Sequence, residues 1–174
     1  TLPLLVGVAW ALRSRASARG LAANALGLVL STAYLGWGVL AQQKATAVAQ
    51  ASLAAQSIVA DRLLVTPAPL NTLLWRVVAI AGDRQHEGFW SVLDGSAQIQ
   101  FDSFPRGMAL LPAVDDLDGV QRIAAFSHGF YALDVQGDQL HIADLRMGQA
   151  PNYSFRFAVA QQQEMGKDKG IVMD

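Results

Sequence analysis

Two patterns of apolar residues divide the chain. From Leu21 to Ala41 it reads LAANALGLVLSTAYLGWGVLA, without a single charge. A helix of that length, at about 1.5 Å per residue, reaches roughly 30 Å, the thickness of a bilayer's hydrocarbon core. Tyr34 and Trp37 near its end suit an interfacial aromatic belt, and Gly27, Gly36 and Gly38 suit close approach of membrane helices. The alternative is a helix buried in a large soluble core, but a chain of 174 residues is too short to cover it on all sides. The segment is predicted to cross a membrane. Ahead of it TLPLLVGVAWAL is apolar until Arg13, too short to span and with its basic residues on the wrong side for a signal peptide. It reads as the cut end of a longer membrane helix, so residues 1–41 form membrane helices with the first one truncated.

Beyond Gly38 the run fades into an Ala- and Gln-rich stretch free of Gly and Pro, which predicts that the helix continues to about Asp61 as a stalk over 42–61. Ala41, Ala45, Val48, Ala55 and Val59 fall on one stripe, for packing on a partner helix or on the chain's own domain. Pro67 and Pro69 mark the next boundary. From there the period becomes two. Strands are expected over 75–82, 89–95, 97–104, 130–135, 139–145 and 153–160, with DRQHEG as a turn and Gly137-Asp138 closing a hairpin. Between them Leu117, Val120, Ile123 and Ala124 recur at helical spacing, with an Asp around 115–118 as the cap and Gly129 as the stop. The result is an α+β fold: a transmembrane helix and helical stalk, then a mainly antiparallel β-sheet domain over 62–160 with one packed helix, and a poorly ordered tail over 161–174. The expected core is Trp75, Val77, Ile80, Phe89, Leu93, Ile99, Phe101, Ile123, Leu133, Leu140, Ile142, Phe155 and Phe157.

Composition sharpens this division. Apolar residues make up 52% and charged ones only 16%, against roughly 25% charged in ordinary soluble domains, which excludes dominant disorder. A formal net charge of −1 supplies no basic field for nucleic acid. With no cysteine, disulfide scaffolds, zinc ribbons and thiol nucleophiles are excluded too. Residues 1–60 carry Arg13, Arg15, Arg19 and Lys44 and no acid, for a net +4, whereas 61–174 are net −5. Three of those arginines sit in the short RSRASARG connection, which the positive-inside rule places in the cytoplasm. That orientation puts the domain outside the cytoplasm. Membrane lipid and neighbouring membrane helices are its expected partners.

Chemistry-bearing residues are sparse. His86 is expected in a turn, His141 facing out between Leu140 and Ile142, and His128 at a helix C-terminus, where an imidazolium complements the dipole. None stands four residues from another, as a helix-borne zinc pair requires. Ser127-His128 lacks the G-x-S-x-G elbow of a nucleophile, and Asp115, Asp116 and Asp118 lack the spacing of a calcium loop. Asp144 and Arg146 share one face of a strand, either as a surface ion pair or as an anion site built on a planar guanidinium. Trp75 and Arg76 read as a packing anchor with a stem lying along it. His128, Asp144 and Arg146 are thus the weak catalytic candidates.

YLGWG at 34–38, PAPLNTLLWR at 67–76, FSHGFYAL at 126–133 and DLRMG at 144–148 follow the apolar helix in a familiar order. Over residues 1–160 the chain resembles the C-terminal half of the membrane-bound metal-dependent hydrolase family, the YdjM-like, inner-membrane-associated group. The family's metal motif, a His-Arg-x-x-Thr-His-like stretch, belongs to its N-terminal membrane half, and no such segment occurs here. The resemblance therefore implies a divalent metal held upstream, with this chain as membrane anchor and extramembrane domain, inactive alone. The other reading is a non-catalytic, membrane-anchored binding or interaction module of the bacterial envelope.

Overall fold

A computed structural model describes residues 5–9, 18–95 and 98–161. The basic connection around Arg13 and Arg15, and the tail beyond residue 161, lie outside the described residues. The fold is α+β, as the periodicities require.

Helix α1 runs unbroken from Ala18 to Ala55. It stops earlier than its composition suggests. Ser57 takes a left-handed φ of 57°, and the Ile58 amide reaches back to the Leu53 carbonyl at 2.9 Å, capping the last turn without a glycine. Upstream, Gly7 in the helical residues 5–9 lies so close to α1 that a Cβ there would stand 3.0 Å from the Ala23 carbonyl oxygen and the Asn24 Cα.

Sheet 1 follows in the order β1 (Arg62–Pro67), β2 (Leu74–Ala81), β3 (Arg84–Ser91) and β4 (Asp102–Pro105), antiparallel throughout. Three departures from the expected pattern occur here. The segment before Pro67 is an edge strand, and an edge position tolerates proline, with pairing to β2 resumed by the Ala68 amide, which donates to the Leu74 carbonyl at 2.8 Å. DRQHEG is not a turn: Gly82 and Asp83 alone reverse the chain, and Gln85, His86 and Glu87 are buried members of β3. The strand expected over 97–104 shrinks to β4, because Ile99 leaves the ladder and folds over Gly88.

Sheet 2 has the order β5 (Tyr131–Gln136), β6 (Gln139–Asp144), β9 (Arg156–Gln161), again antiparallel. A small hairpin, β7 (Gly148–Gln149) and β8 (Asn152–Tyr153), lies between β6 and β9. A 3₁₀ helix (Met108–Ala113) and helix α2 (Asp118–Phe126) join the sheets. Leu117 is the N-cap and makes no side-chain bond, so the expected Asp cap does not form; Asp118 sits in the first turn instead. His128 and Gly129, with φ of 53° and 83°, end α2.

The order of layers is α1, sheet 1, sheet 2, α2. Alternate residues of β2 serve two cores. Trp75 and Val77 meet Ala41, Ala45 and Ala49 of α1, while Val78 and Ile80 meet Phe130 and Leu145 from sheet 2. A third core joins Leu133, Leu140 and Ile142 to Val114 and Val120. Seven of the expected core residues are buried: Trp75, Val77, Ile80, Ile99, Leu133, Leu140 and Ile142. Phe101 and Ile123 are half-buried, and Phe89, Leu93, Phe155 and Phe157 are exposed. Phe155, just before β9, and Phe157 within it have ring centroids 6.4 Å apart.

Gly88 is where the α1 face of sheet 1 is tightest. A Cβ there would stand 2.4 Å from Ile99 Cγ2 and 2.8 Å from the Gln100 carbonyl oxygen. Gly88→Ala is expected to destabilise the domain by about 1–3 kcal/mol through overpacking. Denaturant melts of the chain in detergent check this, with Gly95→Ala, which meets open space, as the neutral control.

Candidate functional site

Polar groups concentrate along the seam between the two sheets. Asp144 closes β6 and is 1% exposed. Arg146, two residues on in a turn, donates from Nε to Oδ1 at 3.0 Å and from Nη2 to Oδ2 at 2.7 Å, and its own amide donates to Oδ1 at 2.9 Å. The guanidinium lies 4.8 Å from the Phe126 ring centroid. Its hydrogen bond to Asp144 raises the Arg146 pKa above the usual arginine value. The ion-pair alternative for these residues is thus the one observed, but its carboxylate is buried rather than on the surface. His128, the third candidate, is exposed after α2. The structure does not seat it with Ser127, whose hydroxyl donates to the Ala124 carbonyl at 3.2 Å.

The strongest polar contacts of the seam belong to residues that the sequence left in minor roles. Arg76 and Glu87 sit diagonally on the sheet 2 face of β2 and β3, 7% and 4% exposed, and form a buried ion pair through Nε and Oε1. Arg76 Nη2 also donates to the Leu145 carbonyl at 3.0 Å, and Glu87 Oε2 accepts the Ala150 amide at 2.9 Å. One pair therefore holds both ends of the 145–150 segment to sheet 1. Arg106, 5% exposed, donates to three carbonyls: Tyr131 at 3.0 Å, Gly82 at 2.9 Å and Gly129 at 3.1 Å. Burial pulls its pKa below the usual arginine value. Arg76 and Glu87 come to one face only through the β2–β3 register, in which Arg76 stands opposite Phe89 and Glu87 opposite Val78.

Beside this seam lies a cleft of about 230 Å³, lined in part by Gln85, Phe104, Ala132, Asp134, Tyr153 and Arg156. Gln85 Nε2 donates to the Tyr153 hydroxyl at 2.6 Å, and burial raises the Tyr153 pKa above the usual phenol value. Asp134 and Arg156 pair at the cleft's wall. The lining offers an apolar body, an amide, a phenol and a guanidinium, which suits binding of a small molecule with one polar end.

The histidines stand apart. His86 is in β3, 7% exposed, with Nδ1 2.6 Å from Ser103 Oγ. Burial, and then the charge of Arg84, lower its pKa from the usual 6.5. His141 is half-buried opposite Asp134. Among the described residues no three His, Asp or Glu side chains come together to hold a metal ion. The carboxylates of Glu87, Asp144 and Asp134 instead face guanidinium groups. The residues present do not fit the divalent metal that the resemblance implies. Comparison with known proteins finds no matching family model, no matching curated protein and no matching solved structure.

Removing one member of the Arg76–Glu87 pair leaves a buried charge uncompensated. Arg76→Met is expected to cost about 3–5 kcal/mol, and Arg76→Met with Glu87→Leu to regain a large part of it. Chemical denaturation of the two variants checks both values. The depressed pKa of His86 means that the folded state favours the neutral ring. Its contribution is full above pH 6.5 and is lost as pH falls from there through the folded-state pKa. His86→Gln is expected to flatten that acid limb of the melting-temperature profile.

Proposed function

We propose that the chain is a membrane-anchored, non-catalytic binding module, held at the surface of a bacterial inner membrane by α1. One observation carries this reading. The apolar helix, exposed over nearly all of a stretch long enough to cross a membrane, continues without a break into the stripe that packs on sheet 1. Anchor and domain share one helix, so the domain's distance from the bilayer is built in. The arginines in the 13–19 connection support a cytoplasmic loop there, and hence a domain on the outer face.

Binding is favoured over catalysis because the charged groups of the seam are engaged with one another and with backbone carbonyls. The inter-sheet cleft is the natural place for a small ligand. Hydrolysis of the kind implied by the resemblance would take its metal from ligands other than these.

Two measurements test the reading. The chain is expected to stay in the membrane pellet after alkaline carbonate, with a phosphatase fused after Ala160 active in the periplasm; release by carbonate, or a signal confined to the cytoplasm, contradicts it. Metal analysis of the chain purified in detergent is expected to find no bound divalent ion. One tightly held ion per chain would overturn the non-catalytic reading.

A further inference from the structure

Sheet 1 has an end where apolar side chains point at nothing inside the molecule. The β1–β2 loop carries Leu70, 107% exposed, and Leu73, 38% exposed, and the segment after β3 carries Leu93, 76% exposed. These are not loose tips. The Val92 amide donates to the Leu73 carbonyl at 2.7 Å, tying the two loops together. Asn71 Oδ1 accepts the Leu73 and Leu74 amides at 2.6 and 3.2 Å. Leu70 is held at φ 57°, in the left-handed region where a branched apolar side chain is strained and glycine would be relaxed. A strained leucine, fully exposed on a braced loop, contributes no burial to this fold.

The position of that end is informative. Pro67, Trp75 and Trp90 stand opposite one another in the last row that β1, β2 and β3 share, and the three leucines lie beyond it. The same row is where α1 arrives from its exposed apolar stretch. Lys44 Nζ lies 5.8 Å from the Trp90 ring centroid, and Gln42 Nε2 donates to the Val65 carbonyl at 3.4 Å. Leu40 and Val39, immediately before them, are 63% and 54% exposed. The loop leucines thus lie beyond the same end of sheet 1 at which the exposed apolar surface of α1 gives way to Gln42, Gln43 and Lys44.

We propose that Leu70, Leu73 and Leu93 form a second membrane contact, entering the interfacial layer of the lipid bilayer beside α1. This rests on α1 crossing the membrane. A helix end alone lets a domain tilt about it, whereas the loops add a contact away from the helix axis and fix the tilt. Their place at the end of sheet 1 where the exposed apolar stretch of α1 arrives selects lipid over a second copy of the chain. Asp94, next to Leu93, keeps that loop at headgroup depth and disfavours a strongly anionic surface.

The absence of cysteine makes the test direct. Single variants Leu70→Cys, Leu93→Cys, Val29→Cys and Asp138→Cys carry an environment-sensitive fluorophore, in vesicles of phosphatidylcholine with a nitroxide quencher just below the headgroups. Position 29 reports the span, and position 138, in the β5–β6 turn, reports a surface away from it. Loss of emission at 70 and 93 as well as 29, with none at 138, is the expected result. Quenching at 29 but not at 70 and 93 would overturn the second contact and leave the span standing. No quenching at 29 would overturn the span and the contact with it. A blue-shifted but unquenched signal at 70 and 93 would replace lipid by a second protein copy.

Discussion

One helix has to satisfy two environments, and the rest of the structure depends on how it does so. Its first half exposes Leu21, Leu26, Leu28, Leu30 and Leu35, while its second half buries Ala41, Ala45 and Ala49 against sheet 1. Alanine is the residue that permits this junction. It keeps the helix stable without side-chain entropy cost, and it lets the backbone approach the sheet closely enough for Trp75 and Trp90 to fill the interface. Ser52 Oγ accepting the Ile99 amide at 2.9 Å, and Gln56 Nε2 donating to the Ile99 carbonyl at 2.7 Å, lock the far end. A larger residue in the stripe would lift the helix off the sheet, and its cost would fall on the geometry between anchor and domain.

The second constraint acts between the sheets, where charge is buried instead of alanine. Arg76 is satisfied by a carboxylate and two carbonyls, whereas Arg106 takes its hydrogen bonds from three carbonyls alone. Such groups add little net stability over an apolar replacement of the same volume, because desolvation offsets the attraction. What they contribute is position. Each guanidinium's rigid fork reaches carbonyls on both sheets or their connections, so sheet 2 has one orientation on sheet 1. The cleft and the 145–150 segment inherit their shape from that choice.

The sequence made some of this legible and hid the rest for identifiable reasons. The long uncharged run, the α+β class and the Gly137-Asp138 hairpin follow from periodicity and turn chemistry, whereas Arg146 reaches Asp144 from a turn and not from the strand face expected for it. β3 was hidden because burial on both faces leaves no alternation to read, and because Gln85, His86 and Glu87 look like turn residues until their partners are known. The end of α1 was hidden because a serine, not a glycine, takes the left-handed position. Of the candidate site, the sequence named Asp144 and Arg146 but placed Arg76 beside a tryptophan. Glu87, its partner eleven residues away, becomes visible only with the strand register.

The central claim is that anchor and domain form one rigid body through α1. Pulsed electron-spin distance measurement between nitroxides at Ala33→Cys in the exposed half of α1 and Asp138→Cys in the β5–β6 turn tests it in lipid nanodiscs. A single narrow distance distribution is the expected result. A broad or multiple distribution, with the domain still folded, would reveal a hinge near Ala41 and contradict the account.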